Sequence, residues 1–333
     1  MSDDERVVPD DADAMVRRPN AAVKRYLAAR EARKTADPER LLPVPAPEQD
    51  TLWRGLVRDG QMRLIVARAG RTVAEIAERH HCSAQAHELL AGLVVGAQLL
   101  RATINPDESL QLAGFQQGGV GNFAVDVFED GAVRATFRNP GHRGEALVGG
   151  RLQITRQQPG RGQYRSSIAF SHGEAPGDLL MRYLLESEQI LSLLEVDFAP
   201  ERGQGEEADA RAVVGYVVQL MPEGTREDLA LLVSNLEHCG RPAAQMIDGD
   251  ADAVAWASGL LRGFYWDQVA RQEVRFGCPC SAERVLALLA SLSPADLHDL
   301  IEGLEVIETT CEYCRTHWST PAAQLAGLLD RPS

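Results

Sequence analysis

Four of the six cysteines gather near the end of the chain, as Cys278-Pro279-Cys280 and, after thirty intervening residues, Cys311-Glu312-Tyr313-Cys314. Two close thiolate pairs suit a tetrahedral Zn2+ shell, because each pair fills two corners and the intervening chain only has to bring the pairs together. The first pair is CxC rather than the commoner CxxC, and the gap is longer than a simple ribbon needs. In a chain that reads as cytosolic, such clusters point to metal or redox centres rather than structural disulfides. Four unrelated core thiols would not be expected to fall into pairs. One Zn2+ held by Cys278, Cys280, Cys311 and Cys314 is therefore the expected cofactor.

The residues between the pairs must position them. Val285, Leu286, Leu288, Leu289 and Leu292 predict one helix, and Ser293-Pro294 supplies an N-cap and first-turn proline for a second carrying Leu297, Leu300 and Ile301. From Gly277 to about Thr320 the module has some 44 residues, a size at which a core alone seldom holds a fold. Its order is expected to depend on the metal. Structural Zn2+ contributes on the order of 10–16 kcal/mol in zinc-finger peptides, and that is folding free energy where no site is preformed. Oxidation removes the ligands: Cys278 with Cys280, and Cys311 with Cys314, could pair locally, the metal would leave and the module would melt. A small, strained CxC ring favours a reducible disulfide over a permanent one.

Three ordered motifs carry a resemblance. Phe276-Gly277-Cys278-Pro279-Cys280-Ser281-Ala282-Glu283-Arg284, the gap and Cys311-Glu312-Tyr313-Cys314 form the first; Tyr183-Leu184-Leu185-Glu186-Ser187-Glu188-Gln189-Ile190 and Gly215-Tyr216-Val217-Val218-Gln219-Leu220-Met221-Pro222 are the others. Together they resemble the heat-shock protein 33 family, the 33 kDa chaperonins, from about Trp53 to Leu329. The resemblance implies a zinc-containing, oxidation-activated, ATP-independent holdase of the bacterial cytoplasm, not an enzyme, that binds unfolding client proteins and forms a homodimer when oxidised. It also implies that the four cysteines are both zinc thiolates and redox sensors, and that a helical linker joins core and switch. Where the family often has an aromatic pair after the last cysteine, this chain has His317-Trp318.

Composition fits that expectation. The formal net charge of −14 over 333 residues argues against nucleic acid, since a phosphate-binding surface would have to concentrate cations against the chain's own field. No apolar run is long enough for a membrane span, and no basic-then-apolar leader opens the chain. A hydrophobic content of 44% is ordinary for a globular protein.

Taken in order, residues 1–50 read as a solvated extension, disordered or weakly helical, with Asp10-Asp11-Ala12-Asp13 and a proline-punctuated end. The segment 51–223 reads as an α+β core with a mixed, largely antiparallel sheet and packed helices. Within it, Met62–Ala67 is extended, Thr72 caps a helix carrying Val73, Ile76 and Ala77, and a longer helix runs from about Ser83 to Thr103. His80-His81-Cys82 between them is expected to be a corner rather than a ligand set. Strands follow at Ser109–Phe115, Asn122–Glu129 and Ala132–Arg138, the last two joined by Asp130-Gly131. Gly118-Gly119-Val120-Gly121 reads as a loop, because a strand rather than a helix follows it. A hairpin over Ala146–Thr155 and Gln163–Phe170, a helix over Asp178–Leu191, and strands at Leu193–Phe198 and Ala212–Met221 around an acidic turn at 200–209 complete the core. Glu186 and Glu188 read as polar neighbours on the helix face rather than a catalytic pair.

Residues 224–276 read as the helical linker, with helices over Thr225–Cys239 and Gln245–Tyr265, and 277–333 as the small zinc-binding module. Cys82 and Cys239 read as buried small side chains, and His298 and His317 as spectators, because four sulfurs already fill the shell. The client-binding residues carry no motif. Two other classes compete. A thiol-disulfide oxidoreductase would leave the second cysteine pair unexplained. A zinc deaminase would want HxE and PCxxC, and although His172-Gly173-Glu174 mimics the first, Thr310 precedes Cys311. A constitutive zinc-stabilised interaction module, with no redox response, is the remaining alternative.

Overall fold

The computed structural model describes residues 49–160, 162–199, 212–240, 242 and 250–329. The extension expected over residues 1–50 lies outside them except at its end, where Asp50 is already a buried strand residue. The acidic turn at 200–209 and the start of the second linker helix, with Ile247, also lie outside the described residues.

In chain order the elements are β1 (Asp50–Val57), β2 (Met62–Arg68), α1 (Gly70–His80), α2 (Ala84–Arg101), β3 (Ser109–Gln116), β4 (Phe123–Val127) and β5 (Ala132–Phe137). Next come β6 (Val148–Gln158), β7 (Gly162–His172), α3 (Pro176–Glu186), β8 (Ser192–Ala199), β9 (Ala212–Leu220), α4 (Arg226–His238) and α5 (Asp250–Leu260). The chain ends with β10 (Trp266–Phe276), α6 (Ala282–Leu289), α7 (Pro294–Gly303), β11 (Val306–Thr310), β12 (His317–Pro321) and α8 (Ala322–Leu329). The expected α+β class is what the described residues form. They fall into two compact units, one holding those up to Arg68 and Leu180–Arg271, the other Ala69–Leu179 and those from Gln272 onward.

In the first unit, β1, β2, β9 and β8 pair antiparallel in that order, with Trp53 opposite Val66, Val66 opposite Tyr216, and Leu194 opposite Val217. Alternation puts Trp53, Leu64, Val66, Tyr216 and Val218 on one face, where they bury against Leu229, Leu232, Val233 and Leu236 of α4 and Trp256 and Leu260 of α5. The Tyr216 and Trp256 rings meet at 4.8 Å between centroids. Helix α4 starts where Thr225 and Asp228 form a reciprocal capping box. At its other end Asn235 Nδ2 donates to the carbonyls of Leu260 and Arg262 at 2.9 and 2.7 Å, tying the two helices together.

Three local expectations give way. Residues 266–276, expected within a helical linker, form strand β10: Trp266, Ala270, Gln272, Val274 and Phe276 are its less exposed positions, a period of two rather than 3.6. Helix α3 stops at Glu186 instead of Leu191, because Gln189 turns left-handed at φ 56° and the Ile190 amide bonds back to the Leu184 carbonyl. Thr72 is not a cap but lies inside the first turn of α1, and its hydroxyl donates to the Val274 carbonyl at 3.5 Å.

In the second unit, β7, β6, β3, β4 and β5 form an antiparallel sheet, and the end of β10 adds to β5 in parallel, with Phe276 opposite Val133. Leu110, Leu112, Val125, Val133, Ala135, Leu152 and Ile154 are buried on its inner face, which α2 covers along β3, β4 and β5 while α1 lies against β5. Helix α2 is buried almost throughout and opens at Ser83, whose hydroxyl accepts from the Ala86 amide. The His80-His81-Cys82 stretch is the expected corner, with His81 at φ 51°. The cysteine-bearing end of this unit is more than the two helices expected. Helices α6 and α7 pack with the β11–β12 hairpin and α8 around Leu289, Leu297, Ile307, Ala322 and Leu325.

Candidate metal centre

Each cysteine pair sits where regular structure ends. On the first side, β10 closes with the Gly277 amide bonded to the Val133 carbonyl at 3.0 Å. A Cβ on Gly277 would lie 2.7 Å from the Ala132 Cβ, so glycine lets the chain hug β5 up to Cys278. Immediately after Cys280, Ser281 caps α6 by accepting from the Arg284 amide at 3.3 Å. On the second side, Cys311 and Cys314 occupy the tip of the β11–β12 hairpin, beyond the pair Thr310 and His317. There the Cys311 amide bonds to the Thr316 carbonyl and the Arg315 amide to the Cys311 carbonyl.

These ends meet. The sulfur atoms of Cys278, Cys280, Cys311 and Cys314 all lie within 4.8 Å of one another. The Sγ–Sγ distances are 3.8 Å between Cys278 and Cys311 and 3.2 Å between Cys280 and Cys314. A tetrahedron with Zn–S bonds of about 2.3 Å has sulfur–sulfur edges of about 3.8 Å, so the donor set fits a Zn2+-sized soft cation. All four cysteines are thiols rather than disulfides. Cys314 is buried.

The four thiols do not ionise alike. Burial pushes the Cys280 thiol up, reinforced by hydrogen bonding to Cys314 and Cys278. The Cys311 thiol is also pushed up, by burial first. Burial acts against ionisation at Cys314 as well, but hydrogen bonds from Thr316 outweigh it and bring that thiol down to about 6. Thr316 Oγ1 lies 3.2 Å from Cys314 Sγ, and a hydroxyl donated to sulfur favours the thiolate.

Charged and aromatic side chains of the same unit surround the cluster. Arg134 on β5 donates from Nε to Asp126 Oδ2 at 2.8 Å and from Nη1 to Cys278 Sγ at 3.5 Å. Its guanidinium lies 3.9 Å from the centre of the Tyr313 ring. Gln111 holds the other oxygen of Asp126 at 2.7 Å. Burial, followed by the negative charge of the same carboxylate, pushes the Tyr313 hydroxyl up to about 12. From α1, Arg79 Nη1 donates to the Cys314 carbonyl at 3.4 Å, with its guanidinium 4.5 Å from the Phe276 ring centre. His80 Nε2 lies 2.9 Å from the Tyr313 carbonyl, which requires the proton on that nitrogen.

The four cysteines expected to act together are thus brought together. Cys82 and Cys239 stand outside the cluster and, against expectation, are only partly buried; that partial burial pushes the Cys82 thiol up to about 11. His298 instead faces Glu302 at 3.5 Å, and His317 Nδ1 lies 2.9 Å from Thr310 Oγ1. Glu188 accepts from the Tyr183 hydroxyl at 2.5 Å, and Glu186 faces Arg182 at 3.6 Å. Sequence reasoning missed Arg134, Asp126, Tyr313, Arg79 and His80. No local pattern marks them, although alternation on β5 does put Arg134 on the face opposite Val133 and Ala135.

The family model described as Hsp33 protein matches residues 50–320. The chain belongs to the Hsp33 family. Among curated proteins similar to it, the 33 kDa chaperonin of Streptococcus pneumoniae (strain JJA) is 25% identical over 295 residues, covering 84% of this chain and 98% of its own length. The 33 kDa chaperonin of Streptococcus pneumoniae serotype 19F (strain G54) matches to the same extent. A crystal structure of the 33 kDa chaperonin (heat shock protein 33 homolog) from Thermotoga maritima superposes with a TM-score of 0.72 at 20% identity, covering 85% of this chain and 98% of that one. The Hsp33 fold is therefore shared well beyond the cysteine cluster. Among the described residues, no helix is long and apolar enough to cross a membrane.

Proposed function

We propose that this member of the Hsp33 family is a redox-regulated, ATP-independent chaperone, not an enzyme, that holds unfolding proteins under oxidative stress. The observation that carries the proposal is the four-thiol cluster of Cys278, Cys280, Cys311 and Cys314, all within 4.8 Å, in a chain of that family. A bound Zn2+ would cross-link the end of β10 to the tip of the β11–β12 hairpin. The module's own core is small, so its order rests on that cross-link.

Oxidation is the trigger. One peroxide molecule takes two electrons from a pair of zinc-bound thiolates and two protons from solvent; the O–O bond breaks, an S–S bond forms and two waters leave. The proposed products are Cys278–Cys280 and Cys311–Cys314. The two shortest sulfur–sulfur approaches given above run between the pairs, but the partners within each pair also lie within 4.8 Å, so local pairing is within reach of a small movement. Crossed bridges would staple the module shut.

β10 links this event to the client-binding surface through the chain itself, since Trp266 begins it and Cys278 follows its end by two residues. Loss of order beyond Phe276 removes the anchor that follows β10, which is then held only by its last residues on β5 and by Trp266 at its start, beside α4 and α5. Those helices bury an apolar face of Leu229, Leu232, Val233, Leu236, Trp256 and Leu260. Exposing such a face supplies what a holdase needs, and a coupling of a few kcal/mol moves the population substantially. A reducing cytoplasm, unfolding proteins as partners and a homodimer in the oxidised state belong to the same proposal.

The test holds zinc-loaded protein reduced, or exposes it to peroxide at elevated temperature, and follows released zinc, disulfide connectivity by mass spectrometry and light scattering from an unfolding client enzyme. Zinc loss with local disulfides, suppressed aggregation and reversal by reductant is the expected result. Zinc that stays bound, or leaves with no gain in client protection, would overturn the redox switch in favour of a constitutive zinc module.

A further inference from the structure

The cysteine cluster is gripped by a side chain from the sheet, and that side chain touches both halves of the site at once. Arg134 reaches Cys278 Sγ, from the first pair, at 3.5 Å. Its guanidinium also lies over the ring of Tyr313, which stands between Cys311 and Cys314 of the second pair, 3.9 Å from the ring centre. Its remaining bond, to Asp126 Oδ2 at 2.8 Å, fixes the guanidinium to the neighbouring strand β4. Asp126 in turn accepts from Gln111 on β3. Three strands thus converge on one cation. The Arg134 and Asp126 side chains are 21% and 10% exposed, so the charges are largely shielded from water and salt.

We infer that Arg134 is a latch: it holds the cysteine module in place by compensating the negative charge of the four thiolates and by seating the Tyr313 ring. The inference rests on the zinc reading above. Four thiolates around one divalent cation carry a formal charge of −2, which a partly buried site must offset. Arg134 does so through a charge-assisted bond to sulfur and a cation–π contact. When the cysteine pairs become disulfides and the metal leaves, the −2 is gone. Arg134 then keeps Asp126 and the Phe128 ring, 5.5 Å from its guanidinium, neither of which belongs to the module, and the charge attraction that held the module docked is gone. The latch therefore senses the charge state of the sulfur cluster. Arg79, on the Cys314 carbonyl and the Phe276 ring, touches no sulfur and acts as a prop.

The experiment compares full-length, reduced, zinc-loaded wild type with Arg134→Met, Arg134→Lys and, as a control on the same sheet face, Arg165→Met. Zinc transfer to a chromogenic chelator is timed without oxidant, and protease cleavage within residues 277–320 is followed in parallel. Arg134→Met is expected to release zinc about tenfold faster, the size of one lost hydrogen bond to a charged group, and to be cut sooner. Arg134→Lys keeps the charge but loses the guanidinium's contacts to Tyr313 and Cys278, so it should fall between. Arg165→Met should match wild type. Should Arg134→Met fail to fold, Arg134→Lys carries the test, and release at the wild-type rate would overturn the latch. Release from Arg134→Met within about twofold of wild type would likewise overturn it while leaving the zinc site standing. A wild type that binds no zinc would overturn both, and zinc retained under peroxide would sink only the redox switch.

Discussion

Trp53 and Trp266 stack with ring centres 5.9 Å apart and planes 21° from parallel. Trp53 is fully buried at the middle of β1, and Trp266 opens β10. A Cβ at Gly55 would already sit 3.1 Å from the Trp266 ring, so the indole fills the hollow that the glycine leaves. Arg58 adds an exposed bidentate contact to Asp267, worth little alone. Trp266→Ala is expected to cost about 2–3 kcal/mol, slightly below the range for a fully buried tryptophan. Denaturant unfolding followed by tryptophan fluorescence measures it, and a loss under about 1 kcal/mol would show that β10 is not anchored by this ring.

Gly131 makes the turn between β4 and β5 at φ 84°, and a Cβ there would lie 2.1 Å from the Glu273 carbonyl oxygen of β10. Both the left-handed backbone and the close approach demand glycine. Gly131→Ala should destabilise the second unit by at least about 2 kcal/mol. Hydrogen exchange ought to localise the loss to β5 and the end of β10, including the Gly277 amide. Uniform protection in the variant would argue against it.

Ser281 follows Cys280 directly and caps α6. Ser281→Ala should weaken the module by about 1 kcal/mol. The measurable sign is earlier loss of zinc to a chelator with an unchanged melting transition for the rest of the chain. An equal shift in both would place the cost elsewhere.

Cys82, raised by burial to about 11, should alkylate at pH 8 about a hundredfold more slowly than an unperturbed thiol, in proportion to its thiolate fraction. The same burial sets a pH dependence. An acid whose folded pKa lies above its unfolded value keeps its proton longer in the native state, so stability is fully present below about 9 and is lost as pH rises toward 11. Cys82→Ser should flatten that alkaline decline. An alkaline limb of unchanged slope would assign it to another group.

The cysteine pairs were legible because metal chemistry writes itself as spacing, and helix starts such as Ser293-Pro294 were legible because caps are local. The Asp130-Gly131 hairpin was readable for the same reason. What stayed hidden depends on partners far along the chain. Arg134 and Cys278 are 144 residues apart, and nothing near Arg134 distinguishes it from any outward-facing strand arginine. The misassigned β10 follows a run of helix, and its alternation runs through polar residues such as Gln272, which dilute the period-two signal. The β11–β12 hairpin escaped because each strand has only five residues, too few for alternation to declare itself.

The sulfurs that meet in the cluster belong to residues 33 and 34 positions apart, whereas Arg63 and Gln219, hydrogen-bonded across β2 and β9, are separated by 156. Loop-closure entropy grows with the logarithm of that separation, so reassembling the module costs about 1.4 kcal/mol less than re-forming the sheet contact. Contacts of short span also form faster. The part of the chain that the proposed switch would take apart is therefore one that could be rebuilt quickly from its own neighbours, while the slow, long-range pairings would keep a record of the native topology.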